Sequence, residues 1–186
     1  MTDRLITPAQ ELAVPLETAK ANLGFDGNDS DLLITVWLKG VIAHAENYTN
    51  RAFVHQTRRL TLDSFAEAIE LERSPLASVI AIRFYDVDGQ QQTLDPADYL
   101  VDTASEPGYV VPAAGKAWPA TADRVNAVTV DYVAGYGPSD VTVPEEIQLY
   151  ILAKLVEQFD PTVRLEQMTV QSTFIDSLLQ SSRIYL

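Results

Sequence analysis

The chain runs to 186 residues, 47% of them apolar and 21% charged, with a net charge of −13 and no cysteine. A chain of this length can bury roughly 70% of the surface its unfolded form exposes, so it needs no disulfide or metal staple, and it has no thiolate chemistry to offer. Its carboxylate excess is spread over residues 1–50, 74–139 and 140–186 rather than gathered in a tail. That disfavours a nucleic-acid footprint, which rests on Lys and Arg neutralising phosphates.

From the N-terminus, Met1-Thr2-Asp3-Arg4 leads into Thr7-Pro8 and Glu11 without the basic flank and apolar core of a signal peptide. No run of about 18 apolar residues is present to span a bilayer. Pro15 suits a first helical turn, Leu16, Ala19 and Leu23 recur at helical spacing, and Gly24 supplies the stop. Asn28 to Asp31 offer N-caps for a longer helix, whose expected inner face is Leu33, Val36, Trp37, Val41, Ala45 and Tyr48. Gly40 interrupts that helix at a cost of about 1 kcal/mol and marks a candidate close helix–helix contact.

Residues 54–137 read as strands. Alternation runs through 59–63 and 68–72, followed by Val79–Phe84, an Asp88-Gly89 turn, Gln92–Leu94, Tyr99–Val101, Tyr109–Val111 and Ala127–Val133. The short, Gly/Pro/Asp-bearing connections favour antiparallel hairpins over parallel strands with crossover helices. A last strong helix opens at Val143-Pro144-Glu145-Glu146, with proline and acids in its first turn. It carries Ile147, Ile151, Leu155 and Phe159 on one stripe and ends at Asp160-Pro161. A weaker periodic stretch follows at Phe174, Ile175, Leu178 and Leu179. The expected architecture is α+β: a small bundle of N-terminal helices (15–53) and a C-terminal helix (143–160), an inserted antiparallel β-rich lobe (54–137) and a tail (161–186), in one domain.

Chemical motifs are sparse. His44 and His55 lie in no metal-ligand pattern. There is no phosphate-binding glycine loop and no nucleophile elbow. Asp86-x-Asp88-Gly89 resembles the start of a calcium loop but has Ala97 at the twelfth position, so it reads as a turn. Arg51, His55, Arg58 and Arg59 form the one basic cluster, too thin for a phosphate footprint but suited to an acidic neighbour or a solvated helix end. Trp118, in a Pro/Ala/Gly-rich loop, either plugs the protein's own core or anchors a partner. The terminal Ile184-Tyr185-Leu186 would be sticky unless it docks.

An ordered set of segments carries a family resemblance. It comprises Ala45-Glu46-Asn47-Tyr48-Thr49-Asn50-Arg51-Ala52-Phe53, Leu62-Asp63-Ser64-Phe65, Pro75-Leu76-Ala77-Ser78-Val79, Tyr85 to Gly89 and Tyr99-Leu100-Val101-Asp102. It continues with Trp118-Pro119, Tyr132 to Gly137, and Val143-Pro144. Over about residues 15–160 the chain resembles the head–tail connector (adaptor) proteins of tailed phages and prophages, often labelled DNA-packaging proteins. Asn50 stands where that pattern has a small residue, often glycine, and nothing after 160 matches.

The resemblance implies a helical bundle with a β-rich insertion and no catalytic residue, metal or cofactor. It implies a ring of about a dozen copies below the portal, with DNA passing through the lumen unbound and no membrane contact. The implied partners are other copies, the portal and tail-completion proteins, and the implied location is the virion head–tail junction, after assembly in host cytoplasm. Candidate interface residues are Arg51, Arg58, Arg59, Trp118 and Tyr185. The competing readings are a binding module from a host pathway and an acidic-pocket, metal-dependent hydrolase.

Overall fold

A computed structural model describes residues 1–159, 175 and 177–185. The chain forms two compact units, each assembled from separated stretches of sequence. A β unit takes Met1–Gln10 and His55–Tyr136, and a helical unit takes Glu11–Val54 and Gly137–Tyr185. The architecture is α+β with an antiparallel β-rich lobe inserted in a helical frame, as the pattern of elements predicts.

In the β unit, strands β1 (Thr2–Thr7), β2 (Gln56–Leu62), β8 (Val128–Ala134), β4 (Leu76–Tyr85) and β5 (Gln91–Thr93) lie in that order in one sheet. A second sheet has the order β3 (Ile69–Leu71), β7 (Gly108–Pro112), β6 (Tyr99–Asp102), and all these pairings are antiparallel. Side chains alternate faces along a strand, so the register Leu60↔Val130↔Ile82 and Leu62↔Val128↔Phe84 lines one face with apolar groups. Leu60, Val130 and Ile82 are fully buried, each contributing about 1.5–3 kcal/mol by leaving water. Gly108 on β7 meets Leu76 on β4 so closely that an added Cβ would lie 2.6 Å from Leu76 Cβ. A bare glycine is what permits that approach.

The N-terminal strand β1 is absent from the sequence expectation. Its one sheltered side chain is Asp3, and Leu5 on the same side is 48% exposed, so the apolar alternation that signals a strand is missing. Asp3 is nevertheless the strand's anchor. Its side chain is 4% exposed and pairs with Arg58, itself 11% exposed. Arg58 Nε donates to Asp3 Oδ2 at 2.6 Å, and the Tyr132 hydroxyl donates to Oδ1 at 2.8 Å. Burial and the Asp3 charge together raise the Tyr132 phenol far above its ordinary value, keeping it a neutral donor.

In the helical unit, α1 (Leu16–Leu23) ends at Gly24, whose φ of 71° is the left-handed stop that the sequence predicts. Helix α2 (Asp31–Thr49) differs from expectation in its inner face. The buried stripe is Ile34, Leu38, Val41, Ala45 and Thr49, while Leu33 and Val36 are 54% and 60% exposed. The helix is apolar on two sides, so spacing alone picks out two stripes, and packing decides between them. Gly40 faces open space rather than another helix. Helix α3 (Glu145–Phe159) buries Ile147, Tyr150, Ile151 and Leu155, close to the predicted stripe. Lys20 ties α1 to Asp31 of α2 at 2.9 Å, and Asn22 Nδ2 reaches the Leu152 carbonyl of α3 at 3.2 Å.

Residues 182–184 dock in this unit. Ile184 is buried, its N–H donates to the Thr49 carbonyl at 3.0 Å, and Asn50 Nδ2 donates to the Ile184 carbonyl at 2.8 Å. Glu146 accepts from Ser182 Oγ at 2.9 Å, so it does more than complement the helix dipole. The expected helix stop at Asp160-Pro161, Phe174 and most of the 161–186 tail lie outside the described residues.

The buried Asp3–Arg58–Tyr132 triad sets the first prediction. Asp3→Ala strands a buried guanidinium and should cost about 3–5 kcal/mol. Tyr132→Phe removes one donor from a charged acceptor and should cost about 1.5–3 kcal/mol. Urea unfolding of the two variants checks the order.

Candidate functional site

The outer face of the five-stranded sheet concentrates positive charge in an acidic protein. Antiparallel partners share a face, and the register sets Arg4 opposite Arg59, Arg59 opposite Asp131, and Arg83 on β4 opposite Thr129, two residues along on the same face. Asp131 is gripped from both sides. Arg59 forks onto it through Nε to Oδ1 at 2.5 Å and a terminal nitrogen to Oδ2 at 2.8 Å, and Arg83 reaches Oδ2 at 2.6 Å. The Arg59 hydrogen bonds, followed by those of Arg83, hold the Asp131 carboxyl below the usual carboxylate range, against the opposing effect of its burial. Arg59 is raised in turn by its bonds to Asp131.

Arg124 stacks its guanidinium 4.0 Å from the Tyr85 ring centroid. A cleft of about 440 Å³ opens here, lined by Arg59, Arg83, Tyr85, Gln91, Arg124 and others. The arrangement can accept anionic groups. It holds no nucleophile–base pair, and among the described residues no group of three His, Asp or Glu is placed to hold a metal ion.

A second surface lies in the helical unit. Trp37, Gly40 and His44 of α2 and Tyr150, Lys154 and Glu157 of α3 border a groove of about 540 Å³. Beside it the outer stripe of α2 leaves Leu32, Leu33 and Val36 in solvent. Trp37 meets Phe159 edge-on at 6.5 Å, and Phe25 meets the same ring at 5.7 Å.

The five residues singled out from sequence fall in different settings. Arg51 belongs to the helical unit and is buried, its Nε donating to the Ser182 carbonyl at 2.5 Å. Arg58 points inward onto Asp3, and Arg59, its neighbour on β2, points outward onto Asp131. Trp118 stacks on Phe65 at 4.8 Å, and its indole N–H is buried without an acceptor among the described residues. Tyr185 is 76% exposed, with the Arg183 guanidinium over its ring at 4.8 Å. Asp86 makes the expected turn, with its carboxylate accepting from Gln90 N, Gln92 Nε2 and Asp88 N. Arg4, Arg83 and Arg124 escape a sequence search because they are isolated along the chain, and strand pairing alone brings them to one face.

No protein-family model matches the sequence, and no curated protein does. Solved structures do. A chain from the neck of an empty GTA particle, computed with C6 symmetry, superposes with a TM-score of 0.81 at 20% identity, covering 100% of this chain and 97% of that one. Chains from the virion of a native gene transfer agent particle and from the neck of a native GTA particle, computed with C12 symmetry, each give 0.80 at 19% identity with the same coverage. The whole chain therefore shares its fold with these chains.

Two outcomes test the electrostatics of the sheet face. Asp131 has a depressed folded-state pKa, so its stabilisation is complete above the ordinary carboxylate pKa near 3.9 and fades as pH falls through the folded value. Asp131→Asn should cost about 1–2 kcal/mol at neutral pH, a figure kept modest by the partly exposed arginines. The difference from wild type should close on acidification below about pH 4, as read by thermal melts across pH. Arg4→Glu replaces a like-charged cross-strand pair by an opposite one and should raise stability by about 0.2–1 kcal/mol in urea unfolding.

Proposed function

We propose that the chain is a non-enzymatic structural subunit of a phage-like particle's neck, working as one copy in a ring below the portal and joining it to tail-completion proteins. The observation that carries this reading is the fold likeness over the full length of both chains, at a TM-score of 0.81 to a particle-neck chain. The segments that resemble the head–tail connector family, from Ala45 to Pro144, are an independent line from sequence.

Two physical features favour the reading. A ring needs each copy to offer surfaces to its neighbours, and this chain has two candidates, a basic sheet face and an uncovered apolar stripe on α2 with Leu32 81% exposed. A net charge of −13 leaves a lumen with few cations to hold passing phosphate, so DNA slides without specific binding. The reading assigns no catalytic residue, cofactor or metal, and places the subunit in the virion after assembly in host cytoplasm.

Electron microscopy of the purified protein, alone and with a phage portal protein, tests this. Ring-shaped assemblies are expected, seated on the portal when it is present. A protein that stays monomeric with the portal, or that binds duplex DNA tightly and salt-sensitively, would overturn it.

A further inference from the structure

We propose that the outer face of the five-stranded sheet is the receptor through which one copy of this chain holds the acidic β3 edge of the next. The inference rests on the self-association argued above and adds which two surfaces meet.

The receptor carries four guanidiniums, from Arg4, Arg59, Arg83 and Arg124, against one carboxylate, Asp131. Arg4 on the edge strand β1 sits directly opposite Arg59 on β2, a pairing that disfavours the isolated sheet. Asp131 engages only part of the donor capacity of Arg59 and Arg83, since each guanidinium has five N–H groups. Arg124 is exposed and turned over Tyr85 rather than onto a carboxylate. The cluster is thus an incomplete ion network whose missing member is anionic. The planar forks match carboxylates two bonds at a time.

The same chain supplies the anion. Residues 63–72 contain Asp63, Glu67, Glu70 and Glu72 and no Lys or Arg. Glu67 and Glu70 are exposed, and no described cation pairs with them. Some carboxylates elsewhere are engaged within the chain: Asp31 with Lys20, Asp98 with Lys116, and Asp86 and Asp102 within their own turns. Strand β3 is also an edge of its sheet, and it presents Glu70 to solvent between the buried Ile69 and Leu71. A phosphate backbone is a poorer occupant, because the face belongs to a molecule of net charge −13 that repels it at range. Receptor and edge are unlike patches, so the contact is head-to-tail and propagates until a rotation closes it.

Sedimentation velocity of the full chain at low and high salt tests the assignment, with Arg124→Glu, Glu70→Arg and the double variant beside wild type. Each single reversal should weaken self-association about tenfold or more, the double variant should recover most of it, and high salt should weaken wild type. Arg4→Glu should also weaken association while melting no earlier than wild type, which separates a lost contact from a damaged fold. Wild-type association that survives Arg124→Glu and Arg4→Glu overturns the receptor face and leaves the ring reading standing. Weakening by Arg124→Glu with none by Glu70→Arg overturns the β3 edge as occupant. Loss of duplex-DNA binding in Arg124→Glu with unchanged self-association makes the face a phosphate site and overturns the proposal. A wild-type chain that remains monomeric at every concentration overturns the ring reading beneath it.

Discussion

The alternation of one strand, β8, governs the β unit. Val128, Val130 and Tyr132 point to the core face, and Thr129, Asp131 and Val133 point away from it. On the inner side, Tyr132 closes over Asp3 and so fixes an N-terminal strand that has little apolar surface of its own. On the outer side, Asp131 binds β2 and β4 together through Arg59 and Arg83. A slip of one residue in register would send Asp131 into the core and Tyr132 into water. The two faces therefore specify each other. The inner one supplies burial, and the outer one supplies a charged seam that keeps the register and stays available at the surface.

That division bears on how an acidic chain can assemble with itself. Copies carrying −13 each repel one another unless the contacts match opposite charge. The sheet gathers scattered arginines from β1, β2, β4 and a loop onto one side, so the field of a copy is polarised although the chain is acidic overall. Complementarity of this kind favours orientation and encounter rate over raw affinity.

The helical unit supplies a different kind of surface. Helix α2 buries Ile34, Leu38 and Val41 and leaves Leu32, Leu33 and Val36 exposed. Singly exposed apolar residues are ordinary, but a contiguous apolar stripe beside an aromatic groove is characteristic of a face that is covered in an assembly. The C-terminal residues, by contrast, are satisfied within the unit. Arg51, Asn50 and Glu146 bond Ser182 and Ile184, so Ile184 is held in the unit while Tyr185 stays exposed.

Residue pattern alone determined the order of elements after β1, the antiparallel character of the β lobe and most strand positions, because alternation and turn chemistry are local properties written into neighbouring residues. It also determined the stop at Gly24, the turn at Asp86–Gly89 and the acidic first turn of α3. Strand β1 was not legible, since an edge strand anchored by a buried ion pair carries no apolar alternation. The inner face of α2 was not legible either, because two stripes satisfy the same spacing and only the packed neighbours choose between them. The pairing of Arg58 with Asp3, and the convergence of Arg4, Arg59, Arg83 and Arg124, join residues up to 120 positions apart. Such contacts are set by strand order and register, which exist only once the chain has folded.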